Sequence, residues 1–235
     1  MKSAVTRWST WVISVICAAI FVAGLNKVFP LVWYSPEIEA SITTPEGKPI
    51  AGAIVVFNWN IEGPWNGASL GQMSVAEAVT GQDGKFQIPA WGPRFNFHGS
   101  VPVDEPTMHV FKPGFVPLTV KNYEDVPMRA ADRIIAFRLQ NQAIVLKPFV
   151  GSLGDYEASL FALQDDLEKV YWSRSGEGCY WKQTPRLLLA LQDVKMKMAA
   201  QGVGQTLRMA YQYASPSFAP ICGNAQQFFQ EFANE

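Results

Sequence analysis

Three short turn motifs, far apart in the chain, constrain its fold more than any other feature. They occupy residues 45–53 (PEGKPIAGA), 80–86 (TGQDGKF) and 111–115 (FKPGF). Each joins a turn to an apolar, strand-like stretch, because Pro fixes φ and Gly accepts positive φ. We therefore predict that these turns serve backbone geometry rather than chemistry. The residues concerned are Gly47, Pro49, Gly52, Gly84 and Gly114.

The stretches between the turns have the pattern of β-strands. Ile38, Ala40 and Ile42 alternate with polar residues, as in a half-buried strand, and 53–57 is almost continuously apolar, as in a central strand. The segment 81–84 indicates a hairpin. Seven strands are predicted, at 37–43, 53–57, 75–80, 85–88, 107–111, 116–120 and 133–139. Short strands of this spacing are typical of a β-sandwich, with 58–74 and 90–106 as long aromatic connections.

At these turns the chain resembles the carboxypeptidase regulatory-like domain, a transthyretin-type (prealbumin-like) β-sandwich. The similarity rests on PEGKPIAGAIVVF, TGQDGKFQIP and FKPGFVPLTV, and it covers residues 36–141. In the first motif Gly47, Pro49 and Gly52 match the family's turn. Gly84 and Gly114 match its later hairpin and turn. The resemblance implies an exported accessory module that has neither catalytic residues nor a cofactor of its own.

The N-terminal segment predicts a membrane-spanning helix. The eighteen residues from Trp8 to Leu25 contain no charge, and as a helix they would extend about 27 Å, enough for the hydrocarbon layer. Lys2 and Arg7 precede them, which favours a cytoplasmic N-terminus and an exported remainder. A cleaved signal peptide, cut before Gly24, is the alternative. Length and the aromatic stretch 28–34 favour an uncleaved signal-anchor over 1–35, with the bulk on the periplasmic or extracellular side.

The residues after 141 change from β to helical patterning. After a linker at 147–154, apolar residues recur every three or four positions in two segments, as on one face of an amphipathic helix. These are Tyr156, Leu160, Leu163, Leu167 and Val170, and then Leu187, Leu191, Val194 and Met198. Asp155 is predicted to cap the first helix and Gly202 to follow the second. Shorter helices are predicted near 207–213 and 225–232, so 142–235 forms an α-helical C-terminal region.

Two cysteines, Cys179 and Cys222, fall in the exported part of the chain. Thiols in an oxidising compartment usually pair, so we predict a disulfide between them. Two buried free thiols are the alternative. A metal site is not predicted, because His98 and His109 lack ligand spacing to a cysteine.

Charge and motif content say little about catalysis. The net charge is −1 and shows no basic concentration of the kind that nucleic-acid binding requires. No phosphate-binding loop or nucleophile elbow is present. A hydrolase would have to recruit His98 or His109 together with Asp104 or Glu105, and we rank this third among the functional hypotheses.

The aromatic connections are the candidate binding residues. Five aromatic residues crowd them: Trp59, Trp65, Trp91, Phe95 and Phe97. Exposed rings on loops can stack on sugars or anchor a protein partner, whereas buried rings would only close the sandwich. We expect a non-catalytic, membrane-anchored interaction or scaffolding protein with an envelope protein as partner. The alternative is a glycan- or cell-wall-binding module that uses the loop tryptophans.

Overall fold

A computed structural model describes residues 11, 12, 14, 16, 32–63, 67–122, 136–171, 179–214 and 219–234. The predicted membrane-spanning segment therefore lies outside the described residues, apart from four positions, and so does Trp65. Within the described ranges, no helix is both long and apolar enough to cross a bilayer.

The described chain contains nine strands followed by helices. The strands are β1 (Val32–Ser35), β2 (Ile38–Thr43), β3 (Ile54–Glu62), β4 (Ser69–Val79), β5 (Lys85–Ile88), β6 (Trp91–Phe95), β7 (Thr107–Phe111), β8 (Leu118–Val120) and β9 (Ala143–Val145). The α-helices are α1 (Leu153–Tyr171), α2 (Pro185–Ala199), α3 (Ala219–Cys222) and α4 (Ala225–Phe232). Short 3₁₀ helices lie at Tyr180–Gln183 and Ala210–Tyr213.

The strands form two main sheets that enclose one hydrophobic core. One sheet has the order β4-β3-β7-β8 and is antiparallel throughout; the other has the order β5-β2-β9. Side chains from both sheets meet in the core, among them Ile38, Ile42, Phe57, Ile88 and Val110. The predicted β-sandwich with a following helical region is thus confirmed in outline, with nine strands rather than seven.

Strand β3 is the centre of the larger sheet, as its apolar sequence predicted. It pairs with β4 on one side and with β7 on the other, and residues 54–59 are all buried. Val55, Phe57 and Trp59 belong to the sandwich core, whereas Ile54 and Val56 belong to a second core beneath the helices. Both faces of the strand are covered, so its polar positions are few.

The helices form a third layer on the outer face of the four-stranded sheet. The predicted apolar face of α1 is buried there, from Tyr156 through Leu167 to Val170, and the corresponding face of α2 packs in the same core. The cap of α1 differs from the prediction. Ser152 is the capping residue, and Asp155 accepts hydrogen bonds from its backbone N–H (3.0 Å) and its hydroxyl (2.6 Å). The pair forms a capping box that needs both residues.

The predicted disulfide between Cys179 and Cys222 is confirmed, with the two Cα atoms 5.5 Å apart. It joins the 3₁₀ turn before α2 to the short helix α3. Nearby, the ring of Trp181 lies 5.2 Å from that of Phe228 and 5.5 Å from that of Phe229. The disulfide therefore holds the C-terminal helix α4 against the helical core.

The last predicted strand, 133–139, is wrong in its described part. Residues 136 and 137 are irregular and 138–140 form a turn. The side chain of Asn122 explains this: it donates to the Ala136 carbonyl (2.8 Å) and accepts from the Arg138 backbone N–H (2.7 Å), which replaces a strand ladder. Phe137 still enters the sandwich core. The final strand is instead β9, which pairs in parallel with β2.

Two connections also differ from the sequence prediction. The turn at 81–84 forms, but the strands that it joins, β4 and β5, lie in different sheets, so it is not a hairpin. The aromatic segments 58–74 and 90–106 both contain strand. In the first, β3 extends to Glu62 and β4 begins at Ser69, whereas in the second β6 covers 91–95 and most of 96–106 is irregular. Their aromatic and β-branched residues suit a half-buried strand better than a loop.

Candidate functional site

The end of the sandwich that carries Phe95 and Phe97 is built by a two-stranded ladder of two successive antiparallel pairs, β2 with β5 and then β1 with β6, which form a small sheet of their own. β2 and β5 pair from Ser41 with Lys85 to Ile38 with Ile88, and the same register continues into β1 and β6. After one bulge the ladder ends with Val32 opposite Phe95. We call the end formed by Val32, Phe95 and Phe97 the tip of the sandwich.

Gly92 allows the two strands to cross closely at this bulge. Its φ is +108°, and a Cβ atom added there would lie 2.5 Å from the Cβ of Tyr34 and 2.8 Å from the carbonyl oxygen of Trp33. Both values are far shorter than van der Waals contact, so only glycine fits. Sequence reasoning missed this residue, because no turn motif surrounds it.

The five predicted aromatic residues occupy different environments. Trp59 is fully buried on β3, and Trp91 is half-buried on β6, with their ring centroids 5.3 Å apart in an edge-to-face arrangement. Phe95 and Phe97 are 66% and 70% exposed, and their rings are nearly parallel at 6.4 Å. Trp65 lies outside the described residues. Only Phe95 and Phe97 of the described four therefore present most of their surface to solvent.

Arg94 fastens this tip to the larger sheet. Its guanidinium lies 5.3 Å from the centre of the Trp91 ring, within cation–π range, and donates a hydrogen bond to the carbonyl of Met73 on β4. Beyond the tip, Ser100 and Glu62 exchange two backbone hydrogen bonds of 2.8 and 2.9 Å. The segment that carries Phe95 and Phe97 is therefore held in place by contacts with the larger sheet.

The buried position of Trp59 bears on the glycan hypothesis. A ring that stacks on a sugar must offer one face to solvent, and Trp59 offers neither face. Its neighbour Trp91 keeps the indole nitrogen buried as well. The described loop tryptophans thus serve packing in this structure, which leaves the two phenylalanines as the exposed part of the predicted set.

His109 is enclosed between the larger sheet and helix α1. Its ring nitrogens lie 3.1 Å from the hydroxyl of Thr119 and 3.1 Å from the side-chain oxygen of Asn58. Thr119 in turn donates to Asp166 at 3.3 Å, and Asn58 donates to Gln72 at 3.1 Å. Burial lowers the pKa of His109 to about 4, and Asp166 opposes that change only in part. The imidazole therefore links the buried Asn58 and Gln72 to the exposed Thr119 and, through it, to the half-buried Asp166.

The other residues of the hydrolase hypothesis lie elsewhere. His98 is at the surface beyond the tip, where its backbone N–H donates to Asn96 (2.9 Å). Glu105 is buried and accepts a hydrogen bond from the Thr107 backbone N–H (2.7 Å). Burial raises the pKa of Glu105 to about 7, and the charge of Asp104 adds to the rise. Asp104 itself pairs with Lys121 at 2.8 Å.

Metal ligands are not clustered in the parts of the chain that the structure describes: no group of three or more His, Cys, Asp or Glu residues there could hold an ion. The hydrogen bonds of His109 go to an amide and a hydroxyl rather than to a carboxylate. Of the four possible pairs of a histidine (His98 or His109) with an acid (Asp104 or Glu105), none is joined by a described hydrogen bond.

A second surface feature is a cleft between the edges of the two sheets. β4 is an edge strand of the larger sheet and β5 is an edge strand of the smaller one. The space between them measures about 820 Å³. Its lining comes from three strands and one turn residue: Glu39, Ala40, Ser41, Glu77, Ala78, Val79, Lys85, Phe86, Gln87 and Asn141. Val79 contributes an apolar side chain that is 42% exposed. No sequence motif marks this cleft.

Comparisons with known proteins give limited information. Neither protein-family models nor curated proteins match the chain. Among solved structures, it is similar to chlorocatechol 1,2-dioxygenase from Pseudomonas putida, with 19% identity over 49% of this chain and 61% of that one and a TM-score of 0.28. The dioxygenase domain of a dioxygenase and carbohydrate-binding protein fusion from Streptomyces sp. SirexAA-E gives 18% identity, coverages of 51% and 81%, and a TM-score of 0.28.

A third similar structure is 3-chlorocatechol 1,2-dioxygenase from Rhodococcus opacus 1CP, with 14% identity over 51% of this chain and 60% of that one and a TM-score of 0.27. This chain thus spans about three-fifths of the length of the two chlorocatechol dioxygenases. With TM-scores this low, the similarities carry no inference about the function of this chain.

Proposed function

We propose that this protein is a non-catalytic, membrane-anchored interaction or scaffolding protein, with its sandwich and helices on the exported side. The sandwich is of the carboxypeptidase regulatory-like type that the turn motifs resemble. Its partner is an envelope protein, and an extended segment of that partner binds in the cleft between β4 and β5. The observation that carries this proposal is the pair of edge strands that border one cleft.

Edge strands favour this kind of binding because their outer N–H and C=O groups are available for pairing. Among the described residues, no further strand lies beside β4 or β5 at these edges. A peptide that adds as a further strand gains main-chain hydrogen bonds, while pockets beside the edge select its side chains. Here Val79 offers an apolar contact, and the exposed Lys85 and Glu39 supply both signs of charge. An extended segment with one apolar side chain and mixed charge suits this lining.

The hydrogen bonds of His109 and Glu77 also support a binding rather than a catalytic role, because both side chains are bonded to other parts of the protein. The buried ring of His109 is hydrogen-bonded to the buried Asn58 on one side and to the exposed Thr119 on the other. The carboxylate of Glu77 accepts the backbone N–H groups of Arg186 and Leu187 at the start of α2, at 3.2 and 2.7 Å. These groups stabilise the join between sheet and helices, so the scaffold holds its edge strands in place.

Site-specific photo-crosslinking tests the cleft. The photoreactive amino acid benzoylphenylalanine replaces Val79 in the full chain, and in a matched control it replaces Val145 on β9. These two valines are 42% and 46% exposed, but Val145 lies at the opposite edge of the smaller sheet. We expect a discrete crosslinked protein from position 79 and none from position 145. Equal crosslinking at both positions, or none at 79, would refute the cleft as the binding site.

A further inference from the structure

The tip of the sandwich exposes two phenylalanine side chains that no packing requirement explains. Phe95 and Phe97 lie nearly parallel, stand on a braced strand end, and together form an apolar surface. Exposed rings of this size are unfavourable in water: covering a Phe side chain completely buries roughly 150 Å² or more, and about two-thirds of each of these residues is uncovered. Such a surface marks an attachment site.

We propose that this surface is covered by the lipid bilayer: Phe95 and Phe97 insert into the interfacial region of the membrane and hold the tip of the sandwich against it. The proposal rests on the membrane anchoring in the proposed function, but it does not depend on the cleft between β4 and β5.

The path of the chain determines which end of the sandwich faces the membrane. The uncharged stretch ends at Leu25 and strand β1 begins at Val32, so six residues, 26–31, separate them. At no more than about 3.6 Å per residue, this tether keeps Val32 within about 25 Å of the end of the stretch. Val32 and Phe95 form the first residue pair of the ladder. The chain therefore enters the sandwich at the tip.

The opposite end of the sandwich is separated from the tip, where the tether enters, by the length of the ladder. Strands β1 and β2 together cover residues 32–43, which as extended chain span about 40 Å. At that far end, beyond β9, Val150 is 92% exposed. Phe95 and Phe97 thus have two properties, an aromatic ring and a position beside the tether, and Val150 has neither.

The charges near the tip are compatible with the membrane interface. Lys27 lies in the tether, and Arg94 lies beside Phe95 with its guanidinium over the Trp91 ring. Glu62 pairs with Ser100 through the backbone. Burial raises the pKa of Glu62, and the charge of Asp104 adds to the rise, so this carboxyl gives up its proton less readily than an exposed one. Aromatic rings flanked by positive charge are typical of segments that bind at the headgroup level.

Spin labelling of the full chain in vesicles of phosphatidylethanolamine and phosphatidylglycerol tests the proposal. The label is attached to His98→Cys, which leaves both phenylalanines intact, in a Cys17→Ser background; Cys179 and Cys222 are protected as the disulfide. Val150→Cys is the matched control. Accessibility of the label to oxygen, which concentrates in lipid, is compared with accessibility to a water-soluble nickel chelate. We expect a severalfold higher oxygen-to-nickel ratio at position 98 than at 150.

The double variant Phe95→Ser/Phe97→Ser, in the His98→Cys background, should lower that ratio to the value at position 150. These side chains are exposed, so the fold should not depend on them. Equal ratios at 98 and 150 in protein that floats with the vesicles would overturn the tip contact and leave the anchor standing. A label shielded from both reagents would show a protein cover and also overturn the proposal. Protein that does not float would overturn the anchor and the tip contact together.

Discussion

Two buried titratable groups, Glu105 and His109, should give the protein opposite pH dependences of stability. Burial raises the pKa of Glu105 to about 7 from an ordinary value of 4.5, and burial lowers that of His109 to about 4 from 6.5. Each shift of about 2.5 units corresponds to about 3 kcal/mol, since one unit is worth about 1.4 kcal/mol.

The signs follow from proton binding. Between pH 4.5 and 7 the folded state holds a proton on Glu105 that the unfolded state has lost, so stability falls as the pH rises through this range. Between pH 6.5 and 4 the unfolded state protonates His109 while the folded state does not, so stability falls as the pH drops. In the wild-type protein the two slopes largely cancel between pH 4.5 and 6.5.

Single substitutions should uncover each slope. Glu105→Gln keeps an oxygen that can accept the Thr107 N–H, and His109→Gln keeps a polar side chain between Asn58 and Thr119. We compare the free energy of unfolding of each variant with that of the wild type. As the pH rises from 4.5 to 7, this difference should increase by about 3 kcal/mol in favour of Glu105→Gln. As the pH falls from 6.5 to 4, it should increase by about 3 kcal/mol in favour of His109→Gln. Contributions from all other groups cancel in these differences.

The assay is urea-induced unfolding of the full chain in detergent, followed by tryptophan fluorescence at half-unit steps from pH 4 to 8. His98→Gln, at the surface, controls for loss of an imidazole in general. If the stability difference between His109→Gln and wild type is the same at pH 4 and pH 7, the burial argument is wrong. A flat difference for Glu105→Gln would refute the same reasoning for the carboxyl.

Three further substitutions test the scaffold by the same unfolding measurement. Cys179→Ser/Cys222→Ser opens a link with a sequence separation of 43 and should cost about 4 kcal/mol, whereas a loss below about 1 kcal/mol would contradict a stapling role. Gly47→Ala and Gly84→Ala both place alanine at positive φ, but only at Gly84 would the Cβ meet a backbone atom, the Ile42 oxygen at 2.6 Å. Gly84→Ala should therefore lower the free energy of unfolding by at least about 1 kcal/mol more than Gly47→Ala does. Equal losses would show that the backbone near Ile42 moves away from the new Cβ without destabilising the protein. Tyr180→Phe removes a hydroxyl that bonds both the N–H and the carbonyl of Gln72, at 3.1 and 3.0 Å, and should cost about 1 kcal/mol, with the exposed Tyr211→Phe as control. No loss at Tyr180 would mean that water replaces the hydroxyl.

Local chemistry made several elements predictable. The spacing of Leu160, Leu163 and Leu167 identifies the buried face of α1, and the apolar segment 53–57 identifies a central strand. Gly84 was recognisable as a turn residue because the constraint on its φ acts within a few residues. In each case the information lies in periodicity or in one backbone angle, and both are properties of neighbouring residues.

The candidate sites were less accessible to such reasoning. The sequence pointed to Phe95 and Phe97 but placed Trp59 in the same group, although Trp59 is buried on β3. Both kinds of residue are aromatic, and both lie in segments that also contain Gly, Pro and Asn. Whether such a ring is inside or outside depends on the register of β6 against β1 and on the bulge near Trp33, which hydrogen bonds between distant segments determine.

The sandwich turns, the helical faces and the cysteine pair could thus be predicted from the order of the residues, because each depends on local chain geometry or on a simple chemical affinity. Long-range contacts set the rest: β5 pairs with β2 rather than with β4, β9 forms the edge of the smaller sheet beside β2, and β1 and β6 extend the ladder to the tip. These pairings join residues that are far apart in the chain, such as Ser41 with Lys85 and Ser41 with Ala143. Their free energy depends on which faces become buried together, and no local pattern in the chain contains that information.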